Sequence, residues 1–230
     1  MQGWNWEGFF GYLGNAYLIE GALTTLWLTI AGIFGGLVVG LLLALMRLSG
    51  RRWLAAPAGI YIWVFRGTPL LVQLIIIYTG LPQVGIKPSV LQSALAGLIL
   101  NEAAYLAEII RAGILAIAPG QRDAAKALGL RPYLTMRLII LPQALRIIIP
   151  PLGNSVNGLL KTTSVCSVIS MEELLRRSQI LIQEKFLVLE LFLVAAIYYL
   201  MMTTAWDFVQ RRLEKRFGRG YGDMAGRDAR

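Results

Sequence analysis

The segment GQRDAAKALGLRPYLTMRLIILP, residues 120–142, is polar at its start and lies between two strongly hydrophobic regions. Residues 123–128 are mostly strong helix formers, and Asp123 stands near the start, where the helix dipole favours negative charge. Gly129 can adopt the left-handed conformation that commonly ends a helix. This pattern predicts a short helix that stops at a fixed position.

A second helix is predicted to follow, because Pro132 suits the first turn of a helix. Leu141-Pro142 is expected to close that helix, since proline disfavours helical geometry in the residue before it. The whole segment therefore predicts a short, rigid helix held outside the bilayer between two spans. Such a shape is suited to binding another protein.

Composition indicates a single membrane domain, because the chain of 230 residues is 57% hydrophobic and only 15% charged. The net charge of +9 does not predict nucleic-acid binding, since the basic residues form short clusters beside hydrophobic runs. Histidine is absent and Cys166 is the single cysteine, which argues against a metal site or a disulfide. No phosphate-binding Gly-Lys-Ser/Thr sequence is present. We expect no cofactor or metal in this chain.

Hydrophobic runs predict an all-α membrane protein, a polytopic bundle of about five transmembrane helices. The expected divisions are an N-terminal interfacial segment at 1–22, a transmembrane domain at 23–211 and a basic cytoplasmic tail at 212–230. The first span, residues 23–46, carries Gly32, Gly36 and Gly40 at GxxxG spacing. We favour helix packing within the chain over a subunit interface for these glycines.

The second hydrophobic region, residues 53–82, is interrupted at 66–69 by Arg-Gly-Thr-Pro. Either the helix breaks there in mid-membrane, or residues 53–65 lie along the inner interface and the span starts near Thr68. The second alternative is favoured, because an unpaired arginine at the bilayer centre costs roughly 2.5–3.5 kcal/mol.

Three further spans are predicted at residues 90–110, 144–170 and 186–208, with an amphipathic outer segment at 171–185. The fourth span should bend near Pro150-Pro151. Lysine and arginine cluster in alternate connections, which predicts an outer N-terminus, an inner C-terminus and an inner location for residues 120–142.

Two polar stripes are predicted on neighbouring spans. One contains Asn101, Tyr105 and Glu108, with Glu102 beside it, and the other contains the following residues at helical spacing: Asn154, Asn157, Lys161 and Ser164. We expect the stripes to face one another, to line part of a transport path, and to pair Glu102 or Glu108 with Lys161. The alternative is that they are ordinary interhelical hydrogen-bond partners, typically worth about 0.6 kcal/mol each.

Residues 123–125 (Asp-Ala-Ala), Gly129 and Leu141-Pro142 resemble the EAA loop of ABC importer permeases, which usually has glutamate at the position of Asp123. Residues 65–73 (FRGTPLLVQ), 141–146 (LPQALR) and 161–164 (KTTS) resemble the polar amino-acid uptake branch of that family. The similarity covers the chain from about residue 21 to residue 211.

The resemblance implies a type I ABC importer permease of the bacterial inner membrane, working by alternating access. Its partners would be a separate ATPase that binds ATP and Mg²⁺, a second identical or related permease subunit, a periplasmic or lipid-anchored substrate-binding protein, and membrane lipid. The substrate would be a polar amino acid, whose ammonium and carboxylate could compete for the Glu–Lys161 pair. The implied ATPase-coupling residues are Gly120, Gln121, Asp123, Ala124, Ala125, Ala127, Leu128, Gly129, Leu141 and Pro142.

Two other classes remain open at this point. A secondary transporter or channel would also show polar stripes but would need no ATPase-binding loop. An integral membrane enzyme would need a catalytic cluster, and Ser164 with Lys161 as its base is the single candidate.

Overall fold

The computed structural model describes residues 4–218, and within that range the chain is helical with no β-strand. Its α-helices are, in order, α1 (Trp6–Tyr12), α2 (Ala16–Leu48), α3 (Arg52–Gly67), α4 (Leu70–Ile75), α5 (Val90–Leu115), α6 (Pro119–Ala127), α7 (Pro132–Thr135), α8 (Leu141–Thr162), α9 (Leu174–Lys185) and α10 (Val188–Gly218). Short π-helical turns (Ile76–Gly80 and Met136–Ile140) and 3₁₀ turns (Leu81–Val84 and Thr163–Ile169) extend α4, α7 and α8.

Four continuous stretches are long and apolar enough to cross a membrane: Ala16–Leu48, Val90–Leu115, Pro132–Ile169 and Val188–Phe217. Helix α3 and the segment Leu70–Val84 form a fifth candidate that is bent by 104° at its break. The prediction of an all-α bundle with about five spans is therefore confirmed.

Helices α2 and α5 form the most extensive helix–helix packing among residues 4–218. A Cβ atom added at Gly40 would lie 2.9 Å from the Ala103 carbonyl oxygen and 3.1 Å from the Ala107 amide nitrogen. Such an atom at Gly36 would meet the Glu102 side chain at 3.2 Å. The glycines on α2 therefore bring two backbones of the same chain together, as predicted.

Replacing Gly40 with leucine is expected to destabilise the fold by about 2–3 kcal/mol, because the facing atoms belong to rigid backbone. The matched control is Gly158→Leu on α8, where an added Cβ would have no neighbour within 4 Å. Thermal unfolding in detergent should show a lower Tm for Gly40→Leu and a small change for Gly158→Leu. Equal Tm values for the two variants would contradict this account of the α2–α5 contact.

Two helices cross the predicted divisions at the ends of the chain. Helix α2 begins at Ala16, inside the segment 1–22 that was expected to be interfacial, and its first turn is capped by the Asn15 side chain. At the other end, α10 continues through the basic residues to Gly218, so residues 212–218 are helical and continuous with the fifth span. The rest of the predicted tail, residues 219–230, lies outside the described residues.

The loop at residues 120–142 begins as predicted but ends differently. Helix α6 stops before Gly129, which has φ +70°, and Pro132 begins α7. Leu141-Pro142, however, does not close a helix, because the chain stays helical from Pro132 to Ile169. A π-helical turn at Met136–Ile140 directly precedes Leu141-Pro142. The wider turn makes room for the proline ring and removes the need for its missing amide hydrogen.

The predicted interfacial placement of residues 53–65 is wrong. Tyr61 donates a hydrogen bond from its hydroxyl to the Leu100 carbonyl at 2.8 Å, and Asn101 donates to the Phe65 carbonyl at 3.2 Å. Leu100 and Asn101 lie about halfway along α5, so α3 reaches the middle of a spanning helix before it breaks at Thr68-Pro69. The alternative, a helix broken in mid-membrane, agrees with this geometry.

The segment that was predicted to lie outside contains helix α9, which packs against α2 and α10. The buried Glu173 carboxylate caps α9 by accepting hydrogen bonds from the Leu175 and Arg176 amides at 3.0 and 2.8 Å, and from the Tyr199 hydroxyl at 2.8 Å. Burial raises the pKa of the Glu173 carboxyl above its ordinary value. Arg177 joins α9 to α2 through an ion pair with Glu20 at 2.6 Å.

Candidate functional site

A cavity of about 810 Å³ opens where the α3–α4 break meets α5 and α8. The break supplies Arg66, Thr68, Pro69 and Leu70 to its wall, and α5 supplies the predicted residues Asn101, Glu102, Tyr105 and Glu108. Helix α8 closes the other side with Ile147, Pro151, Ser155, Gly158, Leu159 and Thr162. The α5 residues predicted to line a path therefore share one cavity.

The two carboxylates in this cavity differ in whether they have a basic partner. Glu108 accepts two hydrogen bonds from Arg111 at 3.0 and 2.7 Å and is neutralised by that ion pair. The Arg66 guanidinium stands 5.3 Å from the centre of the Tyr105 ring. Glu102 is only 8% exposed, and its Oε1 atom has no hydrogen-bond partner among residues 4–218. The Glu102 carboxylate is therefore the acidic group in this cavity that is left without a basic partner.

Arg66 also explains why the second span was placed wrongly. The prediction assumed that this arginine is unpaired in lipid, whereas its side chain borders a cavity whose wall includes two carboxylates. A cation that faces water and acidic groups does not carry the cost of a cation that faces hydrocarbon. The broken helix can therefore bring Arg66 to mid-membrane depth.

The predicted α8 stripe does not face α5, so the predicted contact between the two stripes is wrong. Asn154 accepts from Gln210 at 3.2 Å and Asn157 donates to Asp207 at 2.7 Å, so both meet α10. Lys161 and Ser164 border a separate depression of about 410 Å³ together with Tyr199 and Thr203. The predicted pair of Glu102 or Glu108 with Lys161 is therefore absent, and Glu108 pairs with Arg111 instead.

The α8 side that does face the cavity could have been recognised from spacing. Pro151, Ser155, Gly158 and Thr162 follow one another at four, three and four residues, which is a single helix face. This face carries only two hydroxyl groups, so its polarity is weaker than that of the face with Asn154 and Lys161. The sequence around Arg66 and Thr68 predicted only an interruption of the helix. Both residues also contribute to the cavity wall.

The loop formed by α6, Gly129 and α7 presents a second candidate surface. Leu128 is 77% exposed and Tyr133 is 68% exposed, which places two large apolar side chains at the tip of the loop. Gly120, Gln121, Asp123, Ala124 and Ala127 are also exposed. The loop thus offers an apolar tip with a polar rim, as protein-binding surfaces commonly do.

Ala125 differs from the other predicted coupling residues. Its side chain is fully buried within this chain, whereas the predicted role required contact with a partner. The Leu130 amide donates to the Ala125 carbonyl at 3.0 Å, which fixes the turn after α6. Ala125 therefore holds α6 against the rest of the loop, and Ala124 is the alanine left free for an external contact.

Residues 4–218 contain no group of three or more acidic, cysteine or histidine side chains that could hold a metal ion. Cys166 is buried. Ser164 donates its hydroxyl to the Lys161 carbonyl at 2.6 Å. A serine–lysine catalytic pair would instead require that hydroxyl to face the lysine amine.

The chain belongs to the family described as "Binding-protein-dependent transport system inner membrane component", whose sequence model matches residues 18–219. It is therefore a permease subunit, the class in which ATP hydrolysis belongs to a separate subunit. The family supports the importer interpretation over the secondary transporter or channel.

Two relatives and one solved structure show how far the similarity extends. The chain is 41% identical over 234 residues to the arginine transport system permease protein ArgU of Corynebacterium glutamicum, covering 95% of this chain and 74% of that one. It is 42% identical over 202 residues to the glutamine transport system permease protein GlnP of Escherichia coli K12, covering 86% and 92%. The structure entitled "Crystal structure of an amino acid ABC transporter with histidines" matches with a TM-score of 0.83 at 39% identity, covering 87% and 94%.

Proposed function

We propose that this chain forms part of the membrane path of an ATP-driven importer for polar amino acids. The observation that carries the proposal is the cavity at the α3–α4 break, which reaches mid-span and contains the Glu102 carboxylate, whose Oε1 atom lacks a partner among the described residues. Broken helices and buried charges at this depth are typical of substrate sites in transporters. The relatives named for arginine and glutamine transport support an amino acid as the substrate.

Substrate recognition in this cavity follows from its charges. The ammonium group of an amino acid would replace the missing partner of Glu102, and its carboxylate would approach Arg66. This arrangement takes the place of the Glu–Lys161 pair expected from the sequence. Asn101, Tyr105 and Glu108 complete the α5 side of the same wall.

The loop at α6 would couple ATP hydrolysis to transport. The exposed tip around Leu128 would bind a separate ATPase that holds ATP and Mg²⁺. Only residues 116–118 separate the end of α5 from the start of α6, so displacement of α6 would move α5 and the cavity wall on it. ATP and a periplasmic or lipid-anchored binding protein would each favour a different state, which is the requirement for coupled alternating access.

The proposed orientation places the N-terminus outside and the C-terminus in the cytoplasm. The basic residues of the 47–52 connection, of α6 with its flanks and of the end of α10 then share the inner side, which the positive-inside rule favours. This orientation also brings α6 to the side on which ATP is available.

A second permease subunit is proposed to cover the face of α8 that carries Lys161. Ile147, Asn154, Lys161 and Val168 are all exposed and recur every seven residues on this helix and its 3₁₀ extension. A lysine that faces lipid inside a span is costly, so protein or water must cover it. Two such subunits, identical or related, would enclose the path between them.

Proteoliposomes that contain this chain, its ATPase and its binding protein test the proposed function. Uptake of a radiolabelled basic or amide amino acid should require all three proteins and internal ATP. A non-hydrolysable ATP analogue should abolish uptake. Amino-acid uptake by this chain alone, at the rate of the complete system, would contradict the proposal.

A further inference from the structure

The break between α3 and α4 leaves backbone carbonyls without their helical partners in the middle of the bundle. In a membrane such groups must find other donors, because lipid supplies none. The Thr68 hydroxyl donates to the Val64 carbonyl at 2.8 Å. The Gln73 side-chain nitrogen donates to the Phe65 and Thr68 carbonyls at 3.0 and 3.1 Å. One amide on α4 therefore satisfies the end of α3.

The same amide also joins the break to α5. Asn101 donates from its side-chain nitrogen to the Gln73 side-chain oxygen at 3.1 Å and to the Phe65 carbonyl at 3.2 Å. Gln73 is 7% exposed, so these bonds are largely shielded from water. Both ends of the Gln73 amide are used, and three helices meet at this one side chain.

The position of this junction relates it to the cavity and to the α6 loop. Gln73 itself does not line the cavity. Arg66, which follows Phe65, and Thr68, whose own carbonyl is bonded, do line it. Asn101 belongs to α5, which continues as one helix to Leu115 and is followed closely by α6. A shift of α5 therefore acts on the break through the Asn101–Gln73 and Asn101–Phe65 bonds.

We propose that Gln73 is a positioning residue, whose amide passes movement of α5 to the α3–α4 break and so sets where Arg66 and Thr68 stand in the cavity. The proposal rests on the proposed function, because it identifies the contact that would link the α6 loop to the transport path. It also makes Asn101 a structural partner of the break, in addition to its place in the cavity wall.

Leucine at position 73 keeps a similar volume and removes every bond that the Gln73 amide makes, while the direct Asn101–Phe65 bond can remain. In reconstituted vesicles, Gln73→Leu should lower the amount of amino acid imported per ATP hydrolysed at least tenfold, while the ATPase remains bound. Gln83→Leu makes the same substitution at an exposed residue outside the break and is the matched control. It should keep the import per ATP within twofold of the unaltered chain.

A second measurement reports the local geometry without any transport. In a Cys166→Ser background, Thr68→Cys is labelled with a water-soluble maleimide in membranes that contain no substrate. Adding Gln73→Leu should change the labelling rate at least threefold, and adding Gln83→Leu instead should leave it within twofold. This readout would retain its meaning even if the complete system proved to import nothing, which would defeat the proposed function separately.

The proposal is overturned if Gln73→Leu imports as much per ATP as the unaltered chain, or if the labelling rate at residue 68 is unchanged. A parallel loss of assembled complex, ATP hydrolysis and import would also overturn it, because that result indicates a role in folding alone. Should Gln73→Leu fail to insert, Gln73→Asn takes its place. Asparagine keeps an amide but is too short to reach Phe65 and Asn101 together, so the same two outcomes apply to it.

Discussion

Replacing Leu128 with glutamate is expected to release the ATPase from this chain and to lower ATP-driven import by at least tenfold. Leu128 is 77% exposed, so the fold does not depend on its side chain. A side chain that acts as an interface hot spot carries about 2 kcal/mol or more of binding energy, and we expect Leu128 at the loop tip to be one. Each 1.4 kcal/mol corresponds to a factor of about ten in affinity. A buried, unpaired carboxylate at that position adds a further penalty.

Co-purification of the ATPase with tagged permease measures this effect directly. Leu128→Met is the matched control and should retain the ATPase, because methionine has similar volume and polarity. Gln83→Glu, which adds the same charge on an exposed residue of the opposite connection, should also retain it. Full ATPase recovery with Leu128→Glu would show that the loop tip is not the docking surface.

Replacing Glu102 with glutamine is expected to lower import by about 10- to 100-fold, since a hydrogen bond to a charged group contributes about 1.5–3 kcal/mol. Glutamine has nearly the same shape but offers no negative charge to an ammonium group. Removing a buried carboxylate that lacks a partner should leave the stability of the fold unchanged or raised. Loss of import without loss of Tm would therefore indicate a functional charge.

Asp207→Asn is the matched control for this experiment. It removes a carboxylate from another spanning helix, yet asparagine can still accept the hydrogen bond that Asn157 donates. Import by Asp207→Asn should stay within twofold of the unaltered chain. If Glu102→Gln imports normally, the cavity at the α3–α4 break is not the substrate site.

Features set by local stereochemistry were predictable from the sequence. Gly129 ends a helix because it takes a positive φ, and Pro132 begins the next one, whatever the rest of the chain does. The interruption at Thr68-Pro69 follows from the same kind of rule. Long apolar runs likewise predicted the number of spans, because length and composition determine whether a helix can cross a bilayer.

Features set by tertiary partners were not predictable. Asn157 faces α10 because Asp207, fifty residues away, accepts its hydrogen bond, and periodicity on α8 carries no information about that partner. Pro142 should have ended a helix by local rules, but the preceding π-helical turn accommodates it. Arg66 was predicted to be too costly at mid-membrane depth because the cavity that it borders cannot be seen in the sequence. That cavity forms only when α3, α4, α5 and α8 pack together.

The account as a whole requires that the α6 loop lie in the cytoplasm, within reach of an ATPase. A Leu128→Cys/Cys166→Ser chain, treated with a membrane-impermeant maleimide in oriented vesicles, measures this placement. The account predicts labelling in inside-out vesicles, protection when the ATPase is added, and no labelling in right-side-out vesicles. Labelling of residue 128 in sealed right-side-out vesicles would place the loop outside and contradict the account.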